Sequence, residues 1–415
     1  SAQHLDLVKV GKLAELAERG IESDQDKQEK EQREARLQYV PLELEGDMYD
    51  ERRAVASLRY SADGNTLLVA CLDRAVMFDM RTRKSVREVP LPVDARYDTS
   101  HGLYISPDLH TIVRLRCTSN PKEFMVYSMD SKEARIVTMP KYSARIATFS
   151  ADGQLLAIGT GNKAIQIWRT RDWTCIHTIE NAHPGILADL AFTCDGQRLV
   201  SARSIDYLGP VKVWRAPEWN LEREINWTTE YDDIPQDCKA ASLLASPTDP
   251  RLVAFADKDE GPIALWDIVE GKQVFQLQDE ADNEKIRLAF SGDGKLLLAT
   301  TAKVGTWDAF DISIWETRTG RCLLESKRLP FQLEAFALSP TGFELVSGVN
   351  NGRELRTFNF SDSLSVISLD EVITKGLASA HAPTNAWDQF LSRGQYDPRL
   401  FLFVGAFAGI DLNKL

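Results

Sequence analysis

Apolar and polar residues alternate along most of this chain in short runs, and each run ends at a turn. The stretch 143–180, SARIATFSADGQLLAIGTGNKAIQIWRTRDWTCIHTIE, shows the pattern most plainly. Ile146 and Thr148 fall on one face, Ala147 and Phe149 on the other, which is the two-residue period of a strand. Ala151-Asp152-Gly153 is a turn, because Asp tolerates a left-handed backbone and Gly has no Cβ to clash. Leu155–Thr160 predicts a second strand, Ala164–Trp168 a third and Cys175–Ile179 a fourth. A lone meander of four strands leaves an apolar face uncovered, so the unit must be repeated or covered.

It is repeated. The first turn recurs at Ser61-Ala62-Asp63-Gly64, Ser106-Pro107-Asp108, Thr193-Cys194-Asp195-Gly196, Ser246-Pro247-Thr248-Asp249, Ser291-Gly292-Asp293-Gly294 and Ser339-Pro340-Thr341-Gly342. Successive turns are 45, 44, 43, 53, 45 and 48 residues apart. A second marker keeps step at the end of the third strand: Phe78, Tyr127, Trp168, Trp214, Trp266, Trp315 and Phe358. Four strands per period of this length predict an all-β, seven-bladed β-propeller.

Ile167-Trp168, Val213-Trp214-Arg215, Leu265-Trp266-Asp267 and Ile314-Trp315-Glu316 stand where the WD-repeat family places its Trp-Asp pair, and Trp266-Asp267 is the full pair. Ala182-His183 approximates the family's Gly-His pair. On these residues the chain resembles the WD-repeat β-propellers over about residues 41–370. The resemblance implies a structural hydrogen-bond chain through His183, Ser201, Asp206 and Trp214 in one blade, with Trp168, Trp266 and Trp315 as structural aromatics of others. It is specific for architecture; function must be argued from surfaces.

The blades read as 55–91, 101–140, 144–179, 186–227, 240–279, 286–327 and 333–369. Two segments compete for the strand that closes the ring, Tyr39–Leu44 and Leu364–Leu369. Residues 1–40 form an N-terminal arm: Leu5, Val8, Leu13 and Leu16 share a helical face, and 22–36 is almost wholly charged or Gln, a solvated helix or a linker. Residues 371–415 are a C-terminal extension packed on the ring or a divergent eighth blade. The chain opens on Ser1-Ala2, not Met, which leaves a longer parent chain open.

The 415 residues are 43% apolar and 27% charged, ordinary for a folded domain. A net charge of −12 argues against direct nucleic-acid binding and against an anionic membrane surface. The apolar run 400–410 is about half of what a membrane helix needs, so no span is expected. The six cysteines make no C-x-x-C pair and fall in or beside predicted strands, as buried reduced thiols of an intracellular, cytoplasmic or nuclear, protein.

No enzyme signature is present. The six histidines lack metal-ligand spacing, and there is no nucleophile elbow and no phosphate loop. The predicted innermost strands, such as Leu58–Tyr60, Ile146–Phe149, Leu190–Phe192 and Leu288–Phe290, hold little that titrates, which disfavours a site in the central channel. No metal and no cofactor are expected.

The resemblance assigns the loops between second and third strands, and those joining blades, to one face. They carry Arg96, Tyr97, Tyr207, Trp227, Tyr231, Trp307, Phe310 and Phe331, types enriched at binding hot spots. Those of blades four to six are also acidic, with Asp232, Asp233, Asp259 and Glu260 among them. An acidic sector rimmed by aromatics suits a basic peptide or helix; the alternative is a solvated face whose aromatics pack inward. The expected function is a non-catalytic scaffold, a monomeric propeller within a complex, with residues 1–40 as a second docking element. A sensor module of a larger multidomain protein is the alternative, and a propeller enzyme the remote one.

Overall fold

The computed structural model describes residues 39–42, 54–92, 102–115, 122–139, 141–203, 210–226, 228–231, 234–237, 240–257, 262–278, 283–303, 310–329, 335–349 and 354–360. The predicted N-terminal arm up to Gln38 and the extension 371–415 lie outside them.

The described residues build seven antiparallel sheets of four strands each, with no helix among them. Strand β1 (Tyr39–Leu42) comes first in the chain. Blade one is β2–β5 (Val55–Tyr60, Thr66–Cys71, Arg74–Asp79, Lys84–Pro90), and blade two β6–β9 (Leu103–Ile105, Thr111–Leu115, Glu123–Ser128, Ala134–Thr138). Blade three is β10–β13 (Ala144–Phe149, Leu155–Thr160, Ile165–Arg169, Thr174–Ile179), and blade four β14–β17 (Leu187–Phe192, Arg198–Arg203, Val211–Arg215, Asn220–Ile225). A hairpin follows, β18 (Thr228–Tyr231) and β19 (Ile234–Asp237). Blade five is β20–β23 (Ala240–Ala245, Leu252–Asp257, Ile263–Asp267, Lys272–Gln278), and blade six β24–β27 (Asn283–Phe290, Leu296–Lys303, Phe310–Glu316, Cys322–Leu329). Blade seven holds β28–β30 (Phe336–Leu338, Glu344–Val349, Glu354–Asn359) and takes β1 as its outer strand, from Tyr39 opposite Phe358 to Leu42 opposite Leu355. Of the two competing segments, Tyr39–Leu42 closes the ring. The innermost strands contact one another around the full circle, β28 meeting β2. Closure through an N-terminal strand ties distant parts of the chain together and leaves no open inter-blade seam.

Both repeat markers have a physical cause. In the first turn of blade one, the Ser61 backbone N–H donates to the Thr66 carbonyl at 2.8 Å and the Thr66 N–H donates to Ser61 Oγ at 2.9 Å. The Ser61 hydroxyl donates to Asp63 Oδ1 at 2.5 Å, and that carboxylate also accepts from the Asn65 N–H at 3.0 Å. The same net recurs through Ser106 and Asp108, Ser150 and Asp152, Thr193 and Asp195, and Ser291 and Asp293. Gly64, Gly153, Gly196, Gly294 and Gly342 close these turns with φ between 66° and 79°, a region glycine enters without steric cost.

The aromatic marker sets the core. Each such residue pairs with an aliphatic one on the second strand: Leu67 with Phe78, Ile112 with Tyr127, Leu156 with Trp168, Leu199 with Trp214, Val253 with Trp266, Leu297 with Trp315 and Leu345 with Phe358. All seven are buried. The apolar clusters straddle neighbouring blades: Trp168 sits edge-on to Phe124 of blade two, ring centroids 5.2 Å apart. Blades therefore stabilise one another rather than each folding around its own core.

Candidate interaction surfaces

In an antiparallel meander, alternate connections emerge at opposite ends. The connections from second to third strand, and from one blade to the next, therefore share one face of the ring. The Ser-x-Asp-Gly turns lie on the other face.

Of the residues expected on the loop face, Tyr231 ends β18 and Phe310 begins β26. Arg96, Tyr97, Tyr207, Trp227, Asp232, Asp233, Asp259, Glu260, Trp307 and Phe331 lie outside the described residues, as does Asp206. One expectation changes shape. The connection between predicted blades four (186–227) and five (240–279) contains a two-stranded hairpin with Thr228 opposite Asp237 and Tyr231 opposite Ile234. Its connection is two residues, Asp232-Asp233, the length of a tight hairpin. The long step of 53 residues between Thr193 and Ser246 was its trace in the sequence.

In blade four, His183 Nε2 lies 2.8 Å from Ser201 Oγ, and Trp214 Nε1–H donates to the same oxygen at 2.8 Å. All three are buried. Because Trp214 can only donate, Ser201 Oγ accepts from it and its own hydrogen is free for His183 Nε2. Burial, with Lys212 and Arg203 nearby, pushes the His183 pKa down to about 3. A neutral imidazole buried between a hydroxyl and a blade core is a buttress with no opening to a substrate.

The channel corrects a second expectation. Its strands do carry ionisable groups: Arg59 on β2, Tyr104 on β6 and Asp189 on β14. Asp189 Oδ1 accepts from the Leu190 N–H at 2.8 Å and Oδ2 from the Leu243 N–H at 2.9 Å, clasping blade four to blade five. Burial raises its pKa to about 6, and raises that of Tyr104 to about 12. Arg59 was hidden inside the triplet Leu58–Tyr60. It reaches across the blade boundary, donating to the Ile105 carbonyl at 3.4 Å. A cavity of about 140 Å³ opens beside it, lined by residues 57–59, 103–105 and 147–149.

The thiols also depart from expectation. Cys71 is buried, but Cys175 and Cys322 are exposed on the outer strands of blades three and six, because the rim of a blade has no neighbour to cover it. Among the described residues no group of three or more His, Cys, Asp or Glu gathers to hold a metal, and no helix is long and apolar enough to cross a membrane.

No protein-family model matches the chain. It is 26% identical over 226 residues, 54% of this chain and 22% of the relative, to "Periodic tryptophan protein 2" of Arabidopsis thaliana. It is 23% identical over 220 residues, 50% of this chain and 59% of the relative, to "Eukaryotic translation initiation factor 3 subunit I" of Scheffersomyces stipitis. The chain thus spans less than two thirds of the length of either. Among solved structures, a chain of "Crystal Structure of Mitotic Checkpoint Complex" superposes with a TM-score of 0.56 at 16% identity, covering 78% of this chain and 90% of that one, a likeness of fold.

Proposed function

We propose that this WD-repeat β-propeller is a non-catalytic scaffold, a subunit that holds other proteins within an intracellular complex. The observation that carries the reading is the β18–β19 hairpin inserted between blades four and five, which adds a paired arm to an otherwise regular ring. An ordered arm costs less entropy on binding than a free loop of the same length. Its sequence joins Trp227 and Tyr231 to Glu230, Asp232, Asp233 and Asp237, aromatic anchors within an acidic strip. Such a strip takes a basic peptide or helix, and Asp259 and Glu260 extend the acidic sector along the chain. The initiation-factor subunit and the checkpoint-complex chain are, by name, also parts of assemblies. Residues 1–38, which precede the strand that closes the ring, serve as a second docking element.

The test is quantitative affinity capture with the full chain, the Trp227→Ala/Tyr231→Ala double variant and a variant lacking residues 1–38. The double variant is expected to lose a defined set of co-purifying proteins by tenfold or more, on the order of two hot-spot side chains, with an unchanged melting curve. Unchanged capture removes the hairpin from the interface.

One observation favours a second reading, a regulatory module of a larger protein: the matched stretch is 22% of the Arabidopsis relative's length. Sequencing the full transcript separates the two.

A further inference from the structure

The cavity beside Arg59 lies on the opposite face from the hairpin. Each innermost strand runs from the loop face to its Ser-x-Asp-Gly turn. The lining residues 57–59 run from the middle of β2 toward its turn, 147–149 are the latter half of β10, and β6 ends directly at Ser106. The cavity therefore sits at the turn end of the channel, between blades one, two and three.

Its size decides what fits. Sites for drug-sized ligands and cofactors run to roughly 300–1,000 Å³; about 140 Å³ accommodates one side chain. Its chemistry decides which. Arg59 is exposed to the channel, yet protein surrounds it closely enough that burial lowers its pKa. Its guanidinium has one long hydrogen bond, to the Ile105 carbonyl, and no ion pair among the described residues. The hydroxyls of Ser57 and Thr148 line the same space, half-buried and without hydrogen-bond partners among the described residues. Asp108 is the carboxylate whose charge bears on Arg59, but its Oδ1 already accepts from the Ser106 hydroxyl and the His110 N–H. A guanidinium fork held in a narrow polar mouth matches a carboxylate with two parallel hydrogen bonds. One positive charge balances one carboxylate; a phosphate dianion would leave excess negative charge beside Asp108.

We propose that this end of the channel is a docking site for a single Asp or Glu side chain of a partner protein, held by Arg59 with the Ser57 and Thr148 hydroxyls. The ring then has two faces of opposite preference: basic segments on the hairpin side, an acidic side chain at the turn side.

The experiment uses the full chain labelled with 15N-arginine. The Arg59 side-chain N–H signal is identified by its loss in Arg59→Lys. The probes are Ac-Gly-Glu-Gly-NH2, its Gln counterpart and sodium acetate, at matched ionic strength. The Glu peptide is expected to shift the Arg59 signal saturably, and at roughly tenfold lower concentration than acetate. The Gln peptide is expected to leave it in place. Asp108→Asn keeps the turn's acceptor oxygen and removes the competing charge, so it should tighten the Glu peptide roughly two- to tenfold. No saturable shift overturns the proposal, as does an equal response to the Gln peptide. Equal saturation by acetate also overturns it, leaving a pocket for free small carboxylates. Trp227→Ala/Tyr231→Ala should not change the result, which keeps this site separable from the hairpin.

Discussion

Blades three, four and five place a tryptophan at the same register and treat its N–H differently. Trp214 in blade four donates to Ser201, whereas Trp168 and Trp266 bury theirs without a hydrogen-bond partner among the described residues. The cause is one position on the second strand. Two residues beyond the partner of the tryptophan stands Ser201 in blade four, Ile158 in blade three and Phe255 in blade five. Phe255 instead stacks on Trp266 at 5.7 Å between centroids with the planes 17° apart. The ring tolerates the loss of the hydrogen bond and keeps the aromatic. The tryptophan's first role is therefore area: the marker recurs because a large flat side chain fills the wedge between blades. The His183–Ser201–Trp214 chain is an addition that stiffens one blade.

The strongest way to break this comparison is to empty the wedge. Trp168→Ala, Trp214→Ala and Trp266→Ala should each cost about 3–5 kcal/mol, the range for losing a large buried side chain. If area dominates, the three should agree to within about 1–2 kcal/mol, the worth of a net hydrogen bond and its desolvation. Chemical denaturation read with hydrogen exchange blade by blade measures this, since a ring of stacked units need not melt in one step. A blade-four loss far beyond the other two would make the hydrogen-bond chain primary.

Acid sharpens the contrast, because only blade four of the three carries the buried histidine. The folded pKa of His183 is depressed to about 3 against an ordinary 6.5. A depressed base contributes stability that is full above the unfolded pKa and is lost as pH falls toward the folded one. The loss approaches about 1.4 kcal/mol per pH unit below 6.5, or about 2 kcal/mol by pH 5. Asp189 runs the other way: its raised pKa of about 6 favours the folded state most when it is protonated, and that contribution fades as pH rises through about 6. Subtracting the profile of His183→Gln from that of the parent cancels Asp189 and isolates the histidine. A difference profile flat between pH 7 and 5 would mean that the imidazole is not held neutral.

Much of this architecture was legible in the sequence because its causes are local. Ser61, Asp63 and Gly64 close a turn with their own atoms, so the motif repeats wherever the turn does. The aromatic at the third strand's end is legible for the same reason, since its register follows from the turn before it. Ring closure was not, because Tyr39–Leu42 and Leu364–Leu369 have equally strand-like patterns and only the partner Glu354–Asn359 distinguishes them. Arg59 stands inside the triplet Leu58–Tyr60 assigned to the channel, but a strand's own sequence does not say that this side chain reaches the carbonyl of Ile105 in the next blade. The hairpin left a trace in the 53-residue step, yet spacing alone does not say whether extra residues pair. The loop-face aromatics stand out in the sequence only by residue type, and type carries no information on exposure.

The finest test asks what the Ser201 hydrogen bond contributes once area is nearly held constant. Trp→Phe removes part of the ring and the N–H together. At Trp168 and Trp266 the N–H lost has no partner among the described residues, so its removal costs nothing and relieves a desolvated donor. At Trp214 the same change leaves Ser201 Oγ with His183 alone. Trp214→Phe should therefore be the worse of the three by about 1 kcal/mol in the urea midpoint converted through a common slope. Making the change in a Ser201→Ala background should erase that excess, since no acceptor remains to be stranded. If instead Trp214→Phe matches the other two in the parent, the hydroxyl serves His183 and the indole is a bystander. Blade four would then differ from its neighbours in a histidine, not in how it uses its tryptophan.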